Sequence, residues 1–456
     1  MGPGSPLRFG RDDKLSPTQT TTSEKDTPMS RLTSTTKLFF AAGLASVLAA
    51  CSTLGATSTA WPTAADVVAT QPAFTAEGLK ALDARLKEAV DKGEVAGLQY
   101  ALVKDGKLVA YNTFGAQAYD GPPVTDDTIF RIRSMTKPIV GVAMMQLWEQ
   151  GKWKPEDSVT KFLPELGALK VATKTDTIED GLVPANRPPN MNEVMTHTAG
   201  FGYGLSAGNA VDKAFQANNP HAQPNLSAAM NRLKDIPLLF QPGERWSYSY
   251  TVDVQAAALE KITGTTLGNY LKTNIFTPLG MNDTAFFLSE ADYKNRLAVV
   301  YQRNATSGVK EVFPDGYSFT VPNHHESGGG GLTSTTHDYV RFVQMLLNDG
   351  SLDGKQILKP ETVKVMMSNH IGDLKGVFGG AGFGWGGAVK LAAPTEQSPA
   401  PAGMYDWFGI DGTWFWVDPV NDIGFVGMIQ RRGNPGPGAI NLRSESQQLV
   451  YKALVK

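Results

Sequence analysis

A serine hydroxyl becomes a useful nucleophile only beside a base, so the informative serines are those with a base at a fixed short spacing. The Ser-x-x-Lys spacing occurs at Ser34/Lys37, Ser134/Lys137, Ser158/Lys161 and Ser307/Lys310. On a helix this spacing is about one turn, which sets hydroxyl and amine on one face. Ser34/Lys37 lies in a signal-type N-terminal segment; of the other three, Ser134/Lys137 alone runs straight into a dense apolar pattern: Ile139, Val140, Ala143, Met144 and Leu147. The pattern predicts a buried helix over Pro138–Lys152 with Ser134 at its N-terminus. Pro138 is compatible, because first-turn N–H groups have no helical partner. The positive end of the helix disfavours an ammonium and favours an oxyanion, and burial would make Lys137 a better base. A second signature, Gly-x-Ser-x-Gly, stands at Gly204–Gly208 with Ser206 at its centre. That motif requires an apolar strand before the serine and a helix after it. Residues 198–203 are instead a Gly-rich stretch, so Ser206 is expected to be a loop residue.

The remaining polar candidates carry less chemistry. His197 lies in Thr196-His197-Thr198-Ala199-Gly200 near an expected helix end and reads as structural. His324-His325-Glu326 lacks the His-x-x-x-His spacing of a helical metal site, and adjacent residues on an extended chain point to opposite sides. No metal or cofactor is expected there.

Elements that must position Ser134 follow from periodicity. Leu79, Leu82, Leu86 and Ala89 recur at helical spacing within Phe74–Gly93. Leu98, Tyr100 and Leu102 alternate along a strand, Asp105-Gly106 makes a hairpin turn, and Leu108–Tyr111 begins the return. Residues 151–327 show helical patterns, among them Asp253–Thr263 and Gly268–Ile275, and long loops. Gly328–Gly331 leads into a helix at Thr336–Asn348, which Thr335 and Asp338 are placed to open as a capping box. Strands return at Gly382–Val389, Met404–Ile410, Thr413–Val417 and Ile423–Gln430, with a closing helix over Arg443–Val455. The expected fold is therefore α/β (α+β): one antiparallel sheet from both chain ends (about 73–150 and 328–456), flanked by helices, with an inserted all-helical lobe at about 151–327.

The chain has 456 residues, a net charge of −2 and 41% hydrophobic residues, enough for a large core and without the basic excess of a nucleic-acid binder. Its one cysteine, Cys51, excludes an internal disulfide framework and a Cys-based zinc site. Residues 1–28 are polar and read as a disordered extension. From Met29, Arg31 and Lys37 precede an apolar run, Leu38–Ala50, that is too short to span a bilayer and has the plan of a secretory signal. Leu48-Ala49-Ala50-Cys51 resembles a bacterial lipobox, which implies lipidation at Cys51, a flexible tether at 52–72, and export to the cell envelope with the membrane met only through the lipid anchor.

Arg131–Lys137, Pro242–Ser249 and the hairpin Trp407–Pro419, in that order, resemble the serine β-lactamase/penicillin-binding-protein fold. Within it they look most like the class C-like esterases called family VIII carboxylesterases. The resemblance covers nearly all of residues 73–456. It implies Ser134 as the acylated nucleophile, Lys137 as its partner base, and Tyr248 as the tyrosine of a Tyr-x-Asn motif. It also implies an oxyanion hole from the backbone N–H groups of Ser134 and Ile410, at the end of Trp407-Phe408-Gly409. Two departures stand out: Tyr250 replaces the Asn of Tyr-x-Asn, and Trp407 replaces the Lys of Lys-Thr-Gly. Loss of that cation weakens anion recognition and suits ester acyl or alkyl groups, so Trp407, Gly409 and Tyr250 are expected to contact substrate. The implied activity is hydrolysis of small carboxylic esters without cofactor, with weak β-lactam hydrolysis compatible. A β-lactamase or D-alanyl-D-alanine carboxypeptidase, and a non-catalytic penicillin-recognising sensor, are the alternatives.

Overall fold

The computed structural model describes residues 61–68, 72–178, 181–206, 208–303, 310–314, 319–321, 325–374, 377–433 and 440–455. Cys51, the signal segment, Ser34, Ser307 and His324 lie outside them. The expected tether over 52–72 is described only at 61–68 and 72.

The first helix, α1 (Ala76–Asp91), starts where the Thr75 hydroxyl accepts from the Gly78 N–H, and it buries Leu82, Leu86 and Ala89. It leads into the hairpin β1 (Gly97–Lys104) and β2 (Lys107–Gly115), whose turn residues Asp105 and Gly106 both have positive φ. Helix α2 (Thr136–Glu149) is buried on almost every side, because its apolar residues are not confined to one stripe. Helix α3 (Thr251–Thr263) and helix α4 (Thr336–Leu347) follow later in the chain. The C-terminal part adds β3 (Gly382–Phe383), β4 (Ala388–Val389), β5 (Tyr405–Phe408), β6 (Trp414–Asp418) and β7 (Ile423–Ile429), then helix α5 (Leu442–Ala453).

These seven strands form one sheet in the order β3-β4-β5-β6-β7-β1-β2, with every neighbouring pair antiparallel. The two chain ends meet at β1 and β7, where Leu98 pairs with Ile429 and Lys104 with Ile423. On one face Leu82, Leu86 and Val450 pack with Trp414, Trp416 and Phe425, the last two stacked at 4.3 Å. On the other, Phe415, Val417 and Val426 join the larger core with α2 and α4. Tryptophans two residues apart on a strand share a face, and Phe415 between them faces the opposite core.

Four expectations change. Gly382–Val389 is not one strand but a tight hairpin, because residues 384–387 (Gly-Trp-Gly-Gly) turn the chain and bring Gly382 opposite Val389. The segment over 151–327 is not all-helical. Lys170–Ala172 pairs with Leu182–Pro184, driven by the alternation of buried Leu169 and Val171 around exposed Lys170, and Tyr301–Arg303 pairs with Lys310–Val312 and Arg431–Arg432. The capping box at α4 is half made: the Thr335 hydroxyl accepts from the Asp338 N–H, but the Asp338 carboxylate is taken by Thr284 and the Asp283 N–H. The expected helix at Gly268–Ile275 runs over Leu267–Leu271 and then widens into a π-helical turn at Lys272–Phe276.

Candidate active site

Ser134 sits in a short 3-10 turn, Arg133–Met135, that opens into α2. The turn is strained: Arg133 has φ +46°, a left-handed conformation that costs about 1–3 kcal/mol for a residue with a side chain. Buried Asp411 holds it. One carboxylate oxygen accepts from Arg133 Nε at 2.5 Å and the other from Arg432 Nε at 2.7 Å. Asp411 belongs to the turn after β5, so this ion pair ties the Ser134 turn to the strand end that carries Ile410.

Gly409 makes that approach possible. A Cβ there would lie 2.5 Å from the Ile132 carbonyl oxygen and 2.5 Å from Thr413 Oγ1. Any side chain would push the strand end away from Ser134. The Thr413 hydroxyl in turn donates to the Ile132 carbonyl.

The catalytic candidates converge on the Ser134 hydroxyl. Tyr248 donates to Ser134 Oγ at 2.7 Å, and Lys137 Nζ lies 3.3 Å from the same atom. Lys137 Nζ also contacts the Tyr203 hydroxyl at 3.1 Å and the Gly329 carbonyl at 2.5 Å. Lys137 is fully buried, and burial pulls its pKa from 10.5 to about 7, against an opposing pull from the Asp253 charge. Burial pushes Tyr248 the other way, well above the usual phenol value, although its contacts with Ser134 and Trp407 favour ionisation. At neutral pH the site therefore holds a phenol on the serine and an amine with a substantial neutral population.

His197 is buried and accepts, through Nδ1, from the Ser249 backbone N–H, which places the ring proton on Nε2. Its ring lies 5.0 Å from that of Tyr248, and burial holds its pKa well below the usual range. It packs beneath the tyrosine as a neutral support. Trp407 is buried as well, with its ring 5.6 Å from Tyr248 and 5.4 Å from Phe383. It forms the apolar wall behind the tyrosine instead of presenting an open face.

Tyr250 is a correction. It is fully buried, its hydroxyl lies 3.2 Å from His325 Nε2, and its ring packs edge-on against His221 at 4.8 Å. Its bulk and the apolar Phe215 beside it draw it into the interior, so it does not contact substrate.

The competing serines are placed elsewhere. Ser206 lies in an exposed loop, where its N–H binds Asp212 and its hydroxyl accepts from the Gly208 N–H. Among the described residues, neither an apolar strand nor a helix flanks it directly. Ser158 opens a 3-10 turn and contacts Thr160, while Lys161 pairs with Asp157 at the surface.

Sequence reasoning passed over Tyr203 and Asp253. Tyr203 stands alone in a Gly-rich stretch with no periodic signal, and Asp253 reads as an ordinary first-turn acid of α3. Among the described residues, His221, Asp253 and His325 form a group of metal-ligand type, with one donor atom from each within 4.8 Å of the others. The helices among the described residues include none long and apolar enough to cross a membrane.

A family model named Beta-lactamase matches residues 82–449. The chain belongs to the beta-lactamase family. Among its relatives, Esterase EstB of Burkholderia gladioli is 28% identical over 406 residues, 84% of this chain and 98% of that protein. A putative D-alanyl-D-alanine carboxypeptidase of Escherichia coli is 27% identical over 390 residues, 79% of this chain and 84% of that protein. A solved structure described as "EstCE1, a hydrolase with promiscuous acyltransferase activity" superposes with TM-score 0.66 at 25% identity, covering 82% of this chain and 98% of that one.

Proposed function

We propose that the protein is a serine carboxylesterase of the family VIII type that hydrolyses small, short-chain acyl esters through an acyl-enzyme on Ser134. The observation that carries this reading is the buried Lys137 amine, 3.3 Å from a serine hydroxyl that also receives the Tyr248 hydrogen bond. Neutral Lys137 takes the Ser134 proton as Oγ attacks the ester carbonyl, and the oxyanion is held by the Ser134 and Ile410 backbone N–H groups. The carbonyl re-forms as the C–O bond to the leaving alcohol breaks. Tyr248 protonates that alkoxide and recovers its proton from the Lys137 ammonium. Water then attacks the acyl group along the reverse proton path, releasing acid and free Ser134.

The named esterase relatives and the apolar Trp407 at the position of the lactamase cation support an ester in preference to an anionic lactam or peptide. The carboxypeptidase relative keeps a second reading open, and comparing catalytic efficiency on a short acyl ester and a chromogenic cephalosporin separates the two. Ser134→Ala should abolish hydrolysis of p-nitrophenyl butyrate while Ser206→Ala retains it; the reverse pattern would sink the reading. We further propose export with lipidation at Cys51, tested by incorporation of labelled fatty acid that Cys51→Ala removes.

A further inference from the structure

Behind Lys137 lies a buried cluster that the proposed hydrolysis does not use. Asp253, from the first turn of α3, is completely buried without an Arg or Lys hydrogen-bonded to it among the described residues. One of its oxygens lies 3.3 Å from His325 Nε2, and the other, Oδ2, has no hydrogen-bond partner among the described residues. His325 is also fully buried, and its Nε2 faces the Tyr250 hydroxyl. His221, from the turn Pro220–Ala222, completes the group, with its ring framed by Tyr203, Phe215 and Tyr250. One donor atom from each of the three lies within 4.8 Å of the others.

We propose that His221, Asp253 and His325 form a binding site for a single divalent cation of the zinc class. Two imidazoles and one carboxylate are the donor set such borderline cations take, and a fourth position is left for water. In a tetrahedral site with bonds of about 2.1 Å, ligand atoms stand about 3.4 Å apart. The widest pair therefore closes by up to about 1.4 Å on binding, a movement side-chain rotation must supply. Metal binding needs a deprotonated carboxylate and neutral imidazoles. With neither Arg nor Lys hydrogen-bonded to Asp253 among the described residues, a cation bound at this point would supply direct countercharge. His221 is only part-buried by surface area and offers the entry path.

The three ligands come from segments far apart in the chain, which is why no His spacing announces them. The cluster adjoins the ester chemistry: the Asp253 charge acts on Lys137, and Tyr203, which contacts Lys137 Nζ, packs against His221.

The test uses the full chain stripped of metal and then titrated with Co2+ or Zn2+ alone. Wild type should show the visible absorption of bound Co2+ and retain about one Zn2+ per chain through gel filtration. Losing a ligand should cost more than the roughly 10–100-fold typical of losing an outer-shell partner, so His221→Ala and Asp253→Asn should each weaken binding by more than tenfold. His370→Ala, a histidine stacked on Trp385 elsewhere, should bind as wild type does. If Asp253→Asn fails to fold, part-buried His221→Ala decides. A wild type that retains no Zn2+ and develops no Co2+ absorption, or a bound metal that His221→Ala leaves unchanged, would overturn the proposal.

Discussion

Replacing Lys137 with methionine should inactivate the protein and remove a pH dependence from its stability. The side chain is fully buried, with its amine on Ser134, Tyr203 and the Gly329 carbonyl. Its pKa falls from 10.5 to about 7 on burial. Between those values the unfolded chain holds the extra proton, so wild-type stability rises with pH across this window. Below pH 7 the penalty is at full size, about 5 kcal/mol; it shrinks by about 3 kcal/mol between pH 6 and pH 9. Methionine also leaves its buried partners, the Gly329 carbonyl among them, without this contact, at about 1–3 kcal/mol each at either pH. Methionine preserves the volume and does not titrate. The difference in urea unfolding free energy between variant and wild type should therefore shift against the variant by about 3 kcal/mol between pH 6 and pH 9. Esterase activity should drop by the roughly 10²–10⁴-fold of a lost general base. In wild type, kcat/KM should fall about tenfold per pH unit below 7 as the amine is protonated. A stability difference equal at both pH values would refute the argument that Lys137 is held near neutrality by burial, as would a variant of near-normal activity.

Gly409→Ala places a Cβ 2.5 Å from the Ile132 carbonyl and should displace the Ile410 N–H, lowering kcat by about 10²–10³-fold, the range for a lost oxyanion donor, with KM little changed. Asp411→Asn strips a buried carboxylate from Arg133 and Arg432 and should cost about 3–5 kcal/mol in denaturant unfolding, with loss of activity as the Ser134 turn relaxes. Tyr248→Phe keeps the packing on Trp407 and His197 but removes the donor to Ser134, so kcat should fall by about 10²-fold or more at unchanged thermal stability.

What the sequence disclosed about this site was local. Ser134 and Lys137 stand one turn apart ahead of an apolar helix, and the Asp411-Gly412 turn marks the hairpin that brings Gly409 to them; both signals lie within a few residues. Tyr248 had no local signal and was reached only through family resemblance. Tyr203 and Gly329 meet Lys137 across 66 and 192 positions, and no periodicity encodes such contacts. Tyr250 was misjudged for a related reason: its neighbour Tyr248 faces the site, while the start of α3 turns Tyr250 inward onto His325. Apolar Phe383 and Val389 at either end make residues 382–389 look like one strand, yet the glycines of 384–387 readily let the chain reverse there.

The central claim is that Ser134 is the nucleophile, and fluorophosphonate labelling with peptide mapping tests it most directly. The phosphonyl adduct should appear on the Ser134 peptide, in one copy per chain, with labelling lost in Ser134→Ala and slowed below pH 7 as Lys137 is protonated. An adduct on the Ser206 peptide, or undiminished labelling of Ser134→Ala, would contradict it.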